Sequence, residues 1–384
     1  MYISRKIEEK LLQLIKQFPV VSVTGPRQSG KSTLVKTLFP DYEYISLENP
    51  GVRLRAVKDP LSFLKNRSQR VIIDEIQYIP ELLSYIQLIV DERNIPGNFI
   101  ITGSQNLLIS ENISQSLAGR VGILRLLPFS LEELDTKGTD YTDYIFKGFY
   151  PRLYSFNIQP EDFYSSYVET YVERDVRRII NVKNLHLFMN FIRLCAGRTG
   201  QVLDYRSLSN SSGVSVSTAK AWISILEASY VVFLLRPYYN NFKKRVIKRP
   251  KLYFYDTGLA AYLLEIENSK QLETHYARGS LFENMIVAEL LKKRYNSGKN
   301  SNLFFYRDSN QHEIDIIMDF ANSKNLIELK SAKTFTKDFI KEFKYWKKNI
   351  EKENTHFFVV YGGEEDFDFL DSKIVSWRNL HRNF

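Results

Sequence analysis

The chain has 384 residues, 44% of them hydrophobic and 25% charged, the balance of a soluble globular protein large enough for two or three domains. Fifty-three Lys and Arg against 44 Asp and Glu leave a net charge of +9, which is compatible with nucleic acid without being diagnostic of it. Cys195 is the single cysteine, which excludes an intrachain disulfide and fits a reducing compartment. Met1-Tyr2-Ile3-Ser4-Arg5-Lys6 lacks the apolar core of a secretory signal, and no apolar run approaches the ~18 residues of a membrane span. A cytoplasmic protein without a membrane partner is expected.

Val20-Val21-Ser22-Val23-Thr24 reads as a strand and Leu34-Val35-Lys36-Thr37-Leu38-Phe39 as a helix. Between them Gly25-Pro26-Arg27-Gln28-Ser29-Gly30-Lys31-Ser32-Thr33 completes the spacing G-x-x-x-x-G-K-[ST]. A strand feeding a glycine-rich turn that opens a helix aims successive backbone N–H groups at one point. Gly25 and Gly30 allow a close approach that a Cβ forbids. Lys31 is expected to reach the β- and γ-phosphates of ATP, and Ser32 to hold Mg2+ through its hydroxyl.

Further strand-like runs follow at Glu43–Leu47, Arg70–Glu75, Asn98–Ser104 and Gly122–Leu126, with helical spacing at Glu81–Asp91 and Asn106–Leu117. This alternation predicts an α/β fold with a doubly wound parallel sheet and a ligand at the carboxyl ends of its strands. Asp74 and Glu75 end one strand at that edge. Asp74 is expected to ligate Mg2+, and Glu75 to orient or deprotonate the attacking water. Ser104, with Gln105 as its rival, stands where a polar side chain would touch the γ-phosphate, although a turn or cap role suits it equally. Arg120 reads either as a finger toward the γ-phosphate of a neighbouring copy, which implies a homo-oligomer, or as an ordinary exposed arginine.

Ser165–Val182 has helical periodicity, with Val168, Tyr171, Val172, Val176 and Ile179 as its apolar stripe. The charges Arg174, Asp175, Arg177 and Arg178 read as a solvated face or a nucleotide contact. Two short helices follow, Tyr205–Ser211 and Ser217–Glu227, with Ala219, Trp222, Ile223 and Leu226 facing a core. Strands at Val231–Leu235 and Leu252–Tyr255 then complete a winged-helix pattern. Arg236, Lys243, Lys244, Arg245, Lys248, Arg249 and Lys251, mixed with Tyr238, Tyr239 and Phe242, give the hairpin a basic footprint for the phosphates of DNA; a protein-binding module is the other reading.

Near the C-terminus a helix opens at Phe282-Glu283-Asn284. Strands are expected at Leu303–Asp308, Glu313–Asp319 and Leu326–Lys330. Asp315 and Glu328-x-Lys330 form a D…E-x-K pattern. If Asp319 pairs with Lys324 across Phe320-Ala321-Asn322-Ser323, Asp315 lies opposite Glu328 on one side of the sheet. Two carboxylates in contact would require a divalent cation, with Lys330 beside it as a catalytic ammonium.

Together Gly25–Ser32, Ile73-Asp74-Glu75-Ile76-Gln77, Thr102-Gly103-Ser104, Leu117-Ala118-Gly119-Arg120 and Glu173-Arg174-Asp175-Val176 resemble the bacterial and archaeal AAA-type P-loop ATPases that carry a C-terminal restriction-endonuclease-like domain. Members of that family often read Gly-Gly-x-Pro where the lid helices begin, the proline near the nucleotide base. Here the stretch is Gly148-Phe149-Tyr150-Pro151, with Phe149 replacing a glycine. The resemblance implies an AAA-type ATPase core at 1–135, a helical lid at 136–195, a winged-helix region at 196–266 and an α/β restriction-endonuclease-like domain at 267–384. The expected function is Mg-ATP hydrolysis coupled to DNA, with a metal-dependent nuclease-like domain. The alternative is an ATP-dependent switch whose C-terminal modules bind a protein partner and cut nothing; a P-loop kinase would be an odd companion for a basic winged module.

Overall fold

The computed structural model describes residues 2–67, 69–104, 116–172, 185–238, 247–349 and 354–384. The N-terminal region holds α1 (Glu8–Leu14), β1 (Val20–Thr24), α2 (Lys31–Leu38), β2 (Glu43–Ser46), α3 (Pro50–Lys58), α4 (Pro60–Lys65), β3 (Val71–Asp74), α5 (Leu82–Arg93), β4 (Phe99–Gly103) and β5 (Val121–Arg125). Its five strands are all parallel, in the order β2-β3-β4-β1-β5. Every residue of β1, β3 and β4 is buried, as helices on both faces require. Alternation sends Val71, Ile73 and Ile101 against Leu82, Ile86 and Ile89 of α5. Val21, Val23 and Ile100 pack on Ile7, which caps α1, on Leu11 of α1 and on Leu34 of α2. The expected helix at 81–91 is observed as α5, whereas Gln105 and most of the span expected helical at 106–117 lie outside the described residues.

The middle region starts with α6 (Tyr141–Lys147), capped by Asp140 and ended by Gly148 at φ 72°. Helices α7 (Pro151–Ser155) and α8 (Pro160–Tyr167) each place a proline in the first turn, where its missing N–H costs nothing. A π-helical turn at Val168–Val172 follows α8, so this helix starts before the expected Ser165. Glu173, Arg174, Asp175, Val176, Arg177, Arg178 and Ile179 lie outside the described residues. Then come α9 (Leu185–Ala196), α10 (Tyr205–Ser212) capped by Asp204, α11 (Val216–Ala228) capped by Ser215, and the antiparallel pair β6 (Val232–Leu235) and β7 (Lys251–Phe254). Trp222 packs edge-on against Phe188 and Phe191, at 5.1 Å from each, and the stripe Ala219, Trp222, Ile223 and Leu226 is buried as its spacing predicts. Tyr239, Phe242, Lys243, Lys244 and Arg245 lie outside the described residues.

The last third contains α12 (Thr257–Leu263), α13 (Arg278–Asn296), β8 (Leu303–Arg307), β9 (Glu313–Asp319), β10 (Lys324–Lys330), α14 (Lys341–Asn349), β11 (Thr355–Tyr361), β12 (Phe367–Phe369) and β13 (Ser372–Ser376). The strands form one mixed sheet in the order β12-β13-β11-β10-β9-β8. Asp319 pairs with Lys324 and Ile316 with Ile327, the register expected from the sequence. One apolar core joins α6–α13 and one face of this sheet, while α14 covers the other face with Phe343 and Trp346.

Charge as well as apolar contact fastens the C-terminal region to the N-terminal one. Fully buried Glu289 accepts the Leu131 N–H at 2.7 Å and pairs with Lys292 at 2.7 Å, and Lys292 donates to Phe129 O at 2.7 Å. Replacing Glu289 by Ala leaves a buried ammonium unpaired and is expected to cost about 3–5 kcal/mol, read as a lowered urea midpoint; a shift equivalent to less than about 1 kcal/mol would refute the role of the pair. His381 approaches Glu289 at 3.6 Å and Glu132 at 3.7 Å. Burial nevertheless holds its imidazole below the ordinary histidine value of 6.5. The unfolded chain therefore binds the proton more readily, so stability present above pH 6.5 is lost as pH falls below it. The urea midpoint should drop on acidification, less so in His381→Asn.

Candidate functional site

Residues 25–30 link the carboxyl end of β1 to the amino end of α2. Gly25 sits at φ +152°, and a Cβ there would lie 2.0 Å from Leu126 O; Gly30 sits at φ +92°. Both positions therefore require glycine. Pro26, Arg27 and Ser29 are buried, and Gln28 adopts φ 60°. Lys31 Nζ donates to Gly25 O at 3.0 Å and Pro26 O at 2.8 Å, so its ammonium lies across the mouth of the loop. Gln28, Gly30, Lys31, Ser32, Thr33 and Glu75 line one wall of a cavity of about 310 Å³. Arg5 supports the loop from behind, donating to Ser29 O at 2.9 Å and Leu127 O at 2.7 Å and pairing with Glu133 at 3.1 Å. Nothing in the sequence around Arg5 signals that role.

Asp74 is the meeting point of the site. Ser32 Oγ lies 2.9 and 3.0 Å from its two oxygens, Tyr44 donates to it at 2.6 Å, and Thr102 Oγ1 donates to Oδ1. Burial and this bond push the Tyr44 phenol well above its usual range, so it remains a donor. Glu75 is in the left-handed region at φ 61°, a conformation that costs a non-glycine residue energy and clusters at functional sites. Its carboxylate accepts from Ser104 Oγ at 3.2 Å and from Gln77 Nε2, which also donates to Ser104 at 3.0 Å. Ser104 is thus brought to Glu75, and Gln105 lies outside the described residues. Tyr44, Thr102 and Gln77 were missed as site residues; Tyr44 lies within β2, Thr102 near the end of β4 and Gln77 just after β3, so only the strand order shows that they meet.

Arg120 stands elsewhere. Its carbonyl accepts from Val20 N at the amino end of β1, the edge opposite the phosphate loop. Its guanidinium pairs with Asp91. It makes no contact with its own chain's cavity.

In the C-terminal sheet Asp315 and Glu328 are brought together, with Lys330 between them. Lys330 Nζ lies 2.6 Å from Glu328 and 3.7 Å from Asp315, and Asp315 also accepts the Leu329 N–H at 2.8 Å. Burial, with Asp315 nearby, pushes Glu328 well above the usual carboxylate range. Burial opposes the charge on Lys330, yet the two acids hold it above its ordinary value. Lys251 repeats the arrangement. The sequence placed it in the basic hairpin surface, but it is 2% exposed and lies 2.8 Å from Glu283 and 2.5 Å from Glu313. Among the described residues no three His, Cys, Asp or Glu side chains are placed to hold a metal ion. As arranged, Asp315 and Glu328 do not fit a divalent cation, because the Lys330 ammonium already sits between them.

Residues 17–135 match the family model described as AAA domain. That match covers the strand–loop–helix segment that holds Gly25–Thr33. Residues 138–270 and 278–380 match two models each described as a domain of unknown function, DUF8612 and DUF4143. An uncharacterized protein of Mycobacterium tuberculosis is 27% identical across 97% of this chain and 82% of its own length. One from Methanocaldococcus jannaschii is 24% identical across 95% and 86%. Among solved structures, the Walker-type ATPase of Pyrococcus abyssi has a TM-score of 0.45 at 14% identity, covering 68% of this chain and 96% of that one. A DNA replication initiation factor has a TM-score of 0.26 at 15% identity, covering 55% and 69%. No described helix is long and apolar enough to cross a membrane.

The opposite wall of the cavity comes from Pro151, Arg152 and Ser155 of α7 and from Phe156, which caps it. Arg152 is a cation that the sequence reading passed over, because nothing local ties it to the phosphate loop. Its helix is fixed from a distance by Asp256, which accepts Phe149 N–H at 2.7 Å, Tyr164 O–H at 2.6 Å and Leu259 N–H at 2.9 Å. Gly258 permits the contact, since a Cβ there would fall 2.7 Å from Gly148 Cα. In Asp256→Asn the amide cannot satisfy all three donors. Stability should fall by about 1–3 kcal/mol and nucleotide affinity should weaken in a fluorescent-nucleotide titration; an unchanged dissociation constant would disconnect this anchor from the cavity.

Proposed function

We propose that this chain is a Mg-ATP-hydrolysing AAA-type protein that acts at DNA. The observation that carries the reading is the Ser32–Asp74 pair beside the phosphate loop, with Glu75 held by Ser104 and Gln77. The backbone of Gly25, Pro26, Arg27, Gln28, Ser29 and Gly30 surrounds the phosphates, Thr33 completes the helix mouth, and Lys31 exchanges its carbonyl partners for phosphate oxygens. Ser32 and Asp74 form a hard oxygen pair suited to Mg2+, which would neutralise charge on the β- and γ-phosphates. Glu75 orients and takes a proton from the attacking water, and Ser104 contacts the γ-phosphate. Arg120 reaches a neighbouring copy's γ-phosphate after releasing Asp91, so the working form is a homo-oligomer.

The net charge of +9 and exposed Arg236 and Lys248 beside the hairpin support the DNA reading. Arg249 pairs with Asp204, and Lys251 is turned inward. For the C-terminal domain, the ammonium between Asp315 and Glu328 favours the non-cleaving alternative, a binding platform in which Lys330 is a counter-charge. ATP turnover with and without duplex DNA tests the whole reading. Lys31→Ala should reduce turnover by about 100-fold or more; unchanged hydrolysis would remove the phosphate assignment. DNA affinity should fall steeply with salt, and a flat dependence would remove the DNA partner.

A further inference from the structure

The outer face of the C-terminal sheet carries a charge pattern separate from the hairpin. A 3-10 turn at Lys337–Ile340 runs directly into α14. Lys337, Lys341, Lys344 and Lys348 follow one another at intervals of four, three and four residues and are all exposed. That spacing stacks Lys341, Lys344 and Lys348 on one side of α14, about 10 Å at 1.5 Å per residue, with Lys337 in the turn just before it. None of the four has an ion pair among the described residues. Neighbouring side chains are otherwise engaged: Lys347 pairs with Asp371 at 2.7 Å, Glu342 with His312 at 3.0 Å, and Tyr345 stacks on His312 and donates to Asp308. Ile340, Phe343 and Trp346 face inward and are buried.

We infer that this lysine stripe is a docking surface for the sugar–phosphate backbone of duplex nucleic acid. Four exposed ammonium groups in a row, with Asp338 the one exposed acid among them, complement a partner of regularly spaced negative charge. A membrane surface is a poorer fit, because an interfacial helix must insert its apolar face and here that face is consumed by the core. A single strand is a poorer fit too, because bases need exposed aromatic platforms and the aromatic rings of this helix are buried or already stacked. Lysines on a smooth helix face give charge without base-edge hydrogen bonding, so binding is indifferent to sequence. The inference rests on the reading of DNA as partner, but not on the hairpin as its contact.

The test compares duplex binding by the full chain, followed by fluorescence anisotropy across a salt series, with two variants. One carries Lys→Gln at 337, 341, 344 and 348; the other carries Lys243→Gln, Lys244→Gln and Arg245→Gln. Glutamine preserves helix propensity, so the thermal midpoint of the first should be unchanged. The first variant should bind at least about tenfold more weakly near 0.1 M salt. Its slope of log affinity against log salt should shrink by roughly three to four. Unchanged affinity and slope would overturn the inference. Loss confined to the hairpin variant would overturn it while leaving the DNA reading intact, and absence of duplex binding by the parent chain would sink both. Vesicles containing phosphatidylserine form the remaining arm: vesicle binding that depends on the four lysines while duplex binding does not would assign the stripe to a membrane instead.

Discussion

Asp74 is the constraint on which the nucleotide site depends. Its carboxylate receives Ser32 from α2, Tyr44 from β2 and Thr102 from β4, so one buried charge joins the helix that opens the phosphate loop to three neighbouring strands. A buried carboxylate must be met by donors or it becomes protonated or destabilising. Here those donors are the ends of elements that must be in register for the sheet to form. The parallel order β2-β3-β4-β1-β5 gathers all of these ends at one edge, with the next residue, Glu75, held in a strained conformation beside Ser104 and Gln77.

The second wall of the cavity is governed by a different charge. Asp256 holds the Gly148–Pro151 turn from the far side of the middle region, which makes the orientation of α7 and Arg152 a property of α12. That middle region shares a core with one face of the C-terminal sheet, and Glu289 with Lys292 ties α13 to Phe129 and Leu131. Tyr141 adds a bond to Ser331 O at 2.8 Å, just beyond the E-x-K strand. The cavity wall, the middle helices and one face of the C-terminal sheet are therefore packed in series. Burial of these charges explains the tightness of the coupling, because removing one partner leaves the other unpaired in a low-dielectric interior.

The C-terminal acids show how one motif supports opposite chemistry. Glu328 and Asp315 are adjacent, as their register requires, and two such carboxylates repel unless positive charge separates them. Lys330 provides that charge on one side, and Lys251, arriving from the hairpin, does so for Glu283 and Glu313. Within the cluster each ammonium is shared between two acids, whereas Lys341, Lys344 and Lys348 of α14 have no ion pair among the described residues.

Local chemistry was legible in the sequence: the phosphate loop, the strand ending in Asp74-Glu75, the burial stripe of α11 and the β9–β10 register all rest on residues within one turn, strand or hairpin. The helix at 165–182 was misplaced at its start because Pro160, an N1 residue, was not read as a beginning. What the tertiary structure alone decided is which distant groups meet. Tyr44 and Thr102 reach Asp74 because β2 and β4 flank β3 in the sheet. Asp256 reaches Phe149, and Lys251 leaves the hairpin surface for Glu283, because α12 and β7 share a core with α6–α8 and α13. Arg120 falls at the far edge from the phosphates because β5 starts there. Periodicity encodes which face of an element is buried, but strand order and packing between distant segments decide what that face touches.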